Sequence, residues 1–246
     1  MNWGVSLLKL HHMKWLISCV LLVLACACSN KPMPDYETLS RSTSQPPYLQ
    51  TVEMQPYQLD LKYRPDWILA GEELIALRKS PDLSLEKVAA LMETYKGAVT
   101  FVLKVGPHSS VPKADWPKTD IVNHHPNLPS FSSNLHHLIY GLDEKIYLLA
   151  EDGARVPVSL YQLDRNWGIT SSNRFLITFP MTSGDWDLRK DGNIEVVFQN
   201  LHPMLPEVRF KFPTNPIREG HYTPAQILES LQMWNPDNKT GAANAH

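Results

Sequence analysis

The chain has 246 residues, 43% hydrophobic and 20% charged. That composition supports one sizeable apolar core or two small ones, and excludes a disordered chain and a multi-spanning membrane protein. Its 23 basic and 25 acidic residues give a net charge of −2 with no basic stripe, so nucleic acid is excluded as a partner.

The apolar run Trp15–Ala25 follows Lys14 and makes a helix of about 16 Å, roughly half the hydrocarbon thickness of a bilayer. This is the length of a signal-peptide core, and the polar run "SNKPMPDYETLSRSTSQPP" follows it at once. All three cysteines, Cys19, Cys26 and Cys28, lie in or beside the run. The domain beyond them can hold no internal disulfide, no thiolate metal site and no cysteine nucleophile.

"VLAC" at Val23–Cys26 and "ACAC" at Ala25–Cys28 resemble the lipobox of bacterial lipoproteins: apolar residues, a small residue, then cysteine. The resemblance covers the leader alone. It implies palmitate on Cys26, with Cys28 as the alternative, and cleavage just before the acylated residue. Ala27 or Ser29 then stands where an Asp would mark inner-membrane retention, which implies the outer membrane and a domain facing the periplasm. "MKWLISCVLLVLAC" from Met13 is the more compact leader, so Met13 is the expected start. Losing Lys9 and Lys14 with the leader takes the net charge to −4, since no acid precedes Asp35.

The expected layout is a signal peptide over 1–25, a flexible tether over 26–48, one periplasmic domain over 49–234 and a disordered tail over 235–246. Alternating patterns dominate the domain. "YQLDLKY" places Tyr57, Leu59, Leu61 and Tyr63 on one face, and "AVTFVLKV" does the same for Val99, Phe101, Leu103 and Val105. A helical insertion is expected over about 66–96. One short helix is read from about Glu72 to Lys79, and a second is capped by Ser84 and stopped by Gly97. A long loop runs from Gly106 to about Ser133. "KIYLLA-EDG-ARVPVSLYQL" reads as two strands joined at Asp152-Gly153. "RFLITFP", "NIEVVFQ" and "PEVRFKF" are further strands. "TPAQILESLQMW" starts a helix with Thr223 as cap, Pro224 in the first turn and Gln226 completing a capping box. Its apolar stripe is expected to dock on the strands. The fold class is mainly β with helical additions: an immunoglobulin-like β-sandwich with an α-helical insertion and a C-terminal helix. Two domains divided near Ser130 is the alternative.

Three groups are candidates for chemistry. His124, His125, His136 and His137, with His108, His202 or His221 completing the set, have metal-ligating side chains, yet no HExxH or facial-triad spacing links them. Solvated loop imidazoles are the plainer reading. Asp185, Asp187 and Asp191 offer carboxylates for calcium without an EF-hand pattern, and turn chemistry accounts for them equally. Trp116, Trp167 and Trp186 sit among polar turn residues, where they form a binding surface or cap the core.

No nucleophile elbow, Walker loop or dinucleotide fingerprint is present, and no cofactor is implied. Asp143/Glu144 and Glu151/Asp152 read as solvated turns. The expectation is a non-enzymatic lipid-anchored envelope protein, attached to the membrane through its N-terminal lipid, whose domain binds an envelope protein or glycan. The alternative is a membrane-anchored hydrolase of envelope glycan or lipid, with or without a metal. Converging His or acid side chains would favour the second, a shallow aromatic patch the first.

Overall fold

Alternation of apolar and polar residues builds two antiparallel sheets around one core. The computed structural model describes residues 33–76, 83–164, 170–219 and 222–234. The leader over 1–25, Cys26, Cys28, Trp167, His221 and the tail over 235–246 lie outside the described residues.

Strands are numbered in chain order. One sheet has the order β1 (Leu49–Met54), β2 (Tyr57–Arg64), β3 (Ala98–Pro107), β7 (Asn173–Pro180), β6 (Leu160–Asp164). The other has the order β11 (Leu205–Pro213), β10 (Asn193–His202), β4 (Ile146–Leu149), β5 (Arg155–Pro157). A two-residue hairpin, β8 (Thr182–Ser183) and β9 (Trp186–Asp187), lies outside both. Register lines up the buried residues. Leu61 pairs with Leu103 and Leu103 with Phe175, while Val156, Leu148, Val196 and Phe210 form a row across the other sheet. The rows share one core, and Phe101 of β3 lies 5.1 Å, centroid to centroid, from Phe212 of β11. Each such fully buried side chain contributes ~1.5–3 kcal/mol, which does the work of cross-links in a domain without cysteine.

The hairpin expected at Asp152-Gly153 forms. Gly153 has φ +86° and Asp152 accepts the Ala154 N–H at 2.8 Å. Its second strand, however, is split. After Pro157, which has no N–H to donate, the Ser159 N–H and hydroxyl both donate to Thr178 O, and the chain joins the other sheet as β6.

Helices α1 (Tyr36–Ser42), α2 (Asp66–Ala76), α3 (Leu85–Tyr95) and α6 (Pro224–Met233) pack on one another, and their buried residues lie outside the core of the sheets. The region expected as tether therefore contains a helix. Asp35 caps it, Leu39 is buried, and the buried Tyr36 hydroxyl donates to Ile68 O at 2.8 Å. Helix α2 begins six residues before its expected start at Glu72. The Asp66 carboxylate accepts the Trp67 N–H there, and Trp67, Ile68 and Leu74 form a buried stripe. The capping box of α6 is present, but its face meets the helical insertion rather than strands, with Ile227 and Leu231 buried. Trp67 and Tyr222 meet edge to face at 4.8 Å.

The long loop expected after Gly106 also holds structure. A 3-10 helix spans Lys113–Thr119 and α4 spans Leu128–Tyr140, with Asn127 as its cap. A short α5 covers Asn215–Glu219. From Asp35 onward the described residues form one compact unit, so no boundary falls near Ser130.

Candidate functional site: a histidine-lined cleft

The Asp120 carboxylate organises the segment that carries the first histidine pair. Its Oδ1 accepts N–H groups of Val122 at 2.9 Å and Asn123 at 3.0 Å, and the Asn173 side-chain amide at 2.9 Å. Oδ2 accepts the Asn123 amide at 2.7 Å. Partial burial pushes this carboxyl up, but the hydrogen bonds outweigh it and hold the group below its ordinary range. Ile121 and Val122 are thereby driven into the core, and His124 and His125 are set at its edge.

Helix α4 runs past this segment, tied to it by Asn134 donating to Ile121 O at 2.8 Å. Opposite lies the end of β10, where pairing with β11 is irregular between Gln199 and His202 and Asn200 takes φ +54°. Asn tolerates this left-handed conformation better than most side chains. His137 from α4 lies 2.7 Å from Asn200 O through Nε2. A carbonyl only accepts, so His137 Nε2 carries a proton.

Between these walls is a cleft of about 770 Å³, lined by His124, His125, His137 and His202 with Ser130, Ser133, Asn134 and Asn200. Pro129, Pro203 and Pro206 complete the lining. His202 Nδ1 accepts the Met204 N–H at 3.3 Å, which leaves the proton of the neutral ring on Nε2. Burial, and then the charge of His125, push the His202 imidazole below its ordinary value. Tyr57 packs edge-on to it at 5.6 Å. His125 packs against Phe131, and its Nε2 is buried with no hydrogen-bond partner.

Three of the four paired histidines thus converge, joined by His202. His136 does not: it is exposed and lies against Tyr140 at 5.2 Å. Neighbouring residues on a helix diverge by about 100°, and this pair sits on α4, not in a loop or strand. His108 is also elsewhere, with Nδ1 at Ser110 and Nε2 3.3 Å from Glu53. Among the described residues no group of three or more His, Cys, Asp or Glu side chains is arranged to hold a metal ion.

The remaining candidates are tied into the fold. The Trp116 indole donates to Val111 O at 3.1 Å with Lys113 over its ring, and the Trp186 indole donates to Asp191 at 2.8 Å while packing against the core. Asp187 caps and pairs with Arg189, so the three acids of that turn do not converge on a cation. Glu151 accepts from Gly192 N–H and the Asn193 amide. Asp120, Asn134 and Asn200 belong to no sequence motif that marks them as part of a site. The run "HHPNLPS", a cap followed by Pro at the second helical position, was the signal that α4 begins beside the histidines.

Among the described residues no helix is long and apolar enough to cross a membrane. No protein-family model and no curated protein matches the chain. Two solved structures resemble it weakly. A protein of unknown function from Burkholderia pseudomallei has 14% identity and a TM-score of 0.37, covering 78% of this chain and 88% of its own. A DUF4426 family protein from Pseudomonas aeruginosa has 9% identity and a TM-score of 0.29, covering 69% of this chain and 98% of its own.

Proposed function

We propose that this chain is a lipid-anchored bacterial envelope protein, attached to the outer membrane through Cys26 and facing the periplasm, whose domain binds a ligand or partner without transforming it. The finer fold reading, an immunoglobulin-like β-sandwich, belongs to the same proposal. Its support is the core that the two sheets share and the chain's passage between them after Pro157. The anchor rests on the lipobox resemblance at Val23–Cys26.

One observation carries the binding role: three polar groups of the cleft are held by backbone and not by one another. His137 bonds Asn200 O, His202 bonds the Met204 N–H and Asn134 bonds Ile121 O. Acid–base and nucleophilic catalysis need a base within hydrogen-bond reach of a nucleophile or of an orienting acid. Among the described residues no Asp or Glu lines the cleft, and neither serine hydroxyl there is bonded to a histidine. A concave site with a few fixed polar groups and an apolar border is built for binding.

Metabolic labelling with palmitate tests the anchor. Cys26→Ser abolishes labelling and leaves unprocessed precursor, whereas Cys28→Ser is still labelled. The reverse pattern moves the anchor to Cys28, and an unlabelled wild type refutes the lipoprotein reading.

A further inference from the structure

We propose that the cleft between α4 and the β10–β11 turn is a phosphate-group site in which His125 and His202 supply charge-assisted hydrogen bonds and Ser130 and Ser133 add hydroxyl donors. The inference deepens the binding role proposed for the cleft and is independent of the lipid anchor.

Its first support is the character of the lining. Among the described residues, four histidines, two serines and two asparagines line the cavity and no carboxylate does. Such a wall supplies donors and potential positive charge, and it lacks the oxygen ligands that would favour a hard cation. A phosphate presents several oxygens in a tetrahedron, which suits donors arriving from three chain segments better than the two coplanar oxygens of a carboxylate. The volume far exceeds that of a bare ion and admits the rest of a phosphate ester or headgroup.

The second support is the state of the rings. With Nδ1 committed to the Met204 N–H, neutral His202 keeps its Nε2 proton available. The Nε2 of His125 is shut off from solvent without a partner, so turning that ring toward an anion in the cleft relieves a cost. The charge of nearby His125 disfavours a charge on His202, and an anion beside His202 reverses that sign. Binding therefore draws a proton onto His202 Nδ1, which gives up the long 3.3 Å bond from the Met204 N–H.

The surrounding charges permit this. On the 120–127 segment Asp120 is saturated by Val122, Asn123 and Asn173, and His124 is exposed. Helix α4 contributes His137, bonded to Asn200 O, and His136, which faces elsewhere. Beyond the turn Glu207 is engaged by Arg209 and Gln199. From β2 the Tyr57 phenol, pushed up by burial, is neutral, and at the end of β3 His108 sits with Glu53. Exposed Leu128 and Met204 adjoin the lining prolines Pro129 and Pro203, giving an apolar border.

The test uses the full chain in maltoside micelles, with calorimetric titration and NMR of the histidine rings. Inorganic phosphate probes the free ion and glycerophosphoglycerol probes the lipid headgroup. The diester keeps one negative charge between pH 6 and 8, so any change in its affinity over that range reports the imidazoles. The expected result is saturable binding of at least one probe, with His125 and His202 resonances shifting together. Affinity for the diester weakens about tenfold from pH 6 to pH 8, and His125→Gln or His202→Gln weakens it about tenfold at pH 6. The tighter probe identifies the source. Absence of saturable binding by both probes, or binding that neither variant changes while both melt as wild type, overturns the proposal. Ring shifts with zinc but not with phosphate also overturn it, while leaving the cleft a binding site.

Discussion

Asp120 is the hinge of the candidate site, and removing it has a size that can be worked from its bonds. The carboxylate accepts four hydrogen bonds, two of them part-buried, from Val122 N–H and from Asn173. The other two, from Asn123, are exposed, so water replaces them at little cost. A part-buried bond to a charged acceptor is worth ~1.5 kcal/mol, which puts Asp120→Ala at about 3 kcal/mol. Asn173 is buried, and its Oδ1 already lacks a partner, so the variant strands the whole amide. Asp120→Asn keeps one accepting oxygen and should cost ~1 kcal/mol. In a domain of this size that translates to a melting point lower by roughly 6–12 °C for Ala and ~3 °C for Asn.

The sign with pH follows from linkage. The folded carboxyl lies below its ordinary value of 3.8, so its contribution is fully present above about pH 5 and is lost as pH falls through the folded value. Urea unfolding of the full chain between pH 3 and 7 measures this. The gap between wild type and Asp120→Ala should be constant above pH 5 and close towards pH 3. A gap under ~1 kcal/mol at pH 7, or one that widens in acid, would refute the assignment of Asp120 as the clamp of the histidine segment.

Gly71 and Trp186 give two further tests. A Cβ at Gly71 would land on the Tyr36 ring, so Gly71→Ala should destabilise by ~1–3 kcal/mol despite the better helix propensity of Ala, and Tyr36→Ala should relieve the clash. A Gly71→Ala protein that is ~1 kcal/mol more stable would mean that α1 is not docked. Trp186→Ala removes a core-packed ring and its bond to Asp191, so chemical denaturation should report a loss of ~2–3 kcal/mol with phosphate affinity intact. Lost affinity at unchanged stability would return Trp186 to the binding surface.

Local patterns settled much of the fold in advance. Period-two alternation placed Leu59, Leu61, Phe101, Phe175 and Phe210 in the core, because each faces the same side of its strand whatever surrounds it. The Ser84 and Thr223 caps and the Asp152-Gly153 turn were legible for the same reason: their hydrogen bonds close within three residues. The polar look of residues 36–42 hid a helix, since a single Tyr36 docking on α2 depends on a partner 32 residues away. The split after Pro157 was hidden likewise, because both patterns continue through it and only the neighbouring strands decide which sheet each half joins.

The candidate site belongs to the second kind. The chain alone determined that imidazoles occur in pairs and that no cysteine can join them. It could not determine that His137 rather than His136 turns inward, nor that a left-handed Asn200 brings His202 into the same cleft as His125. Those placements depend on contacts between segments 63 or more residues apart, such as His137 with Asn200. Hydrogen bonds at that separation leave no periodic trace along the chain, so only the tertiary structure converts scattered histidines into one cleft.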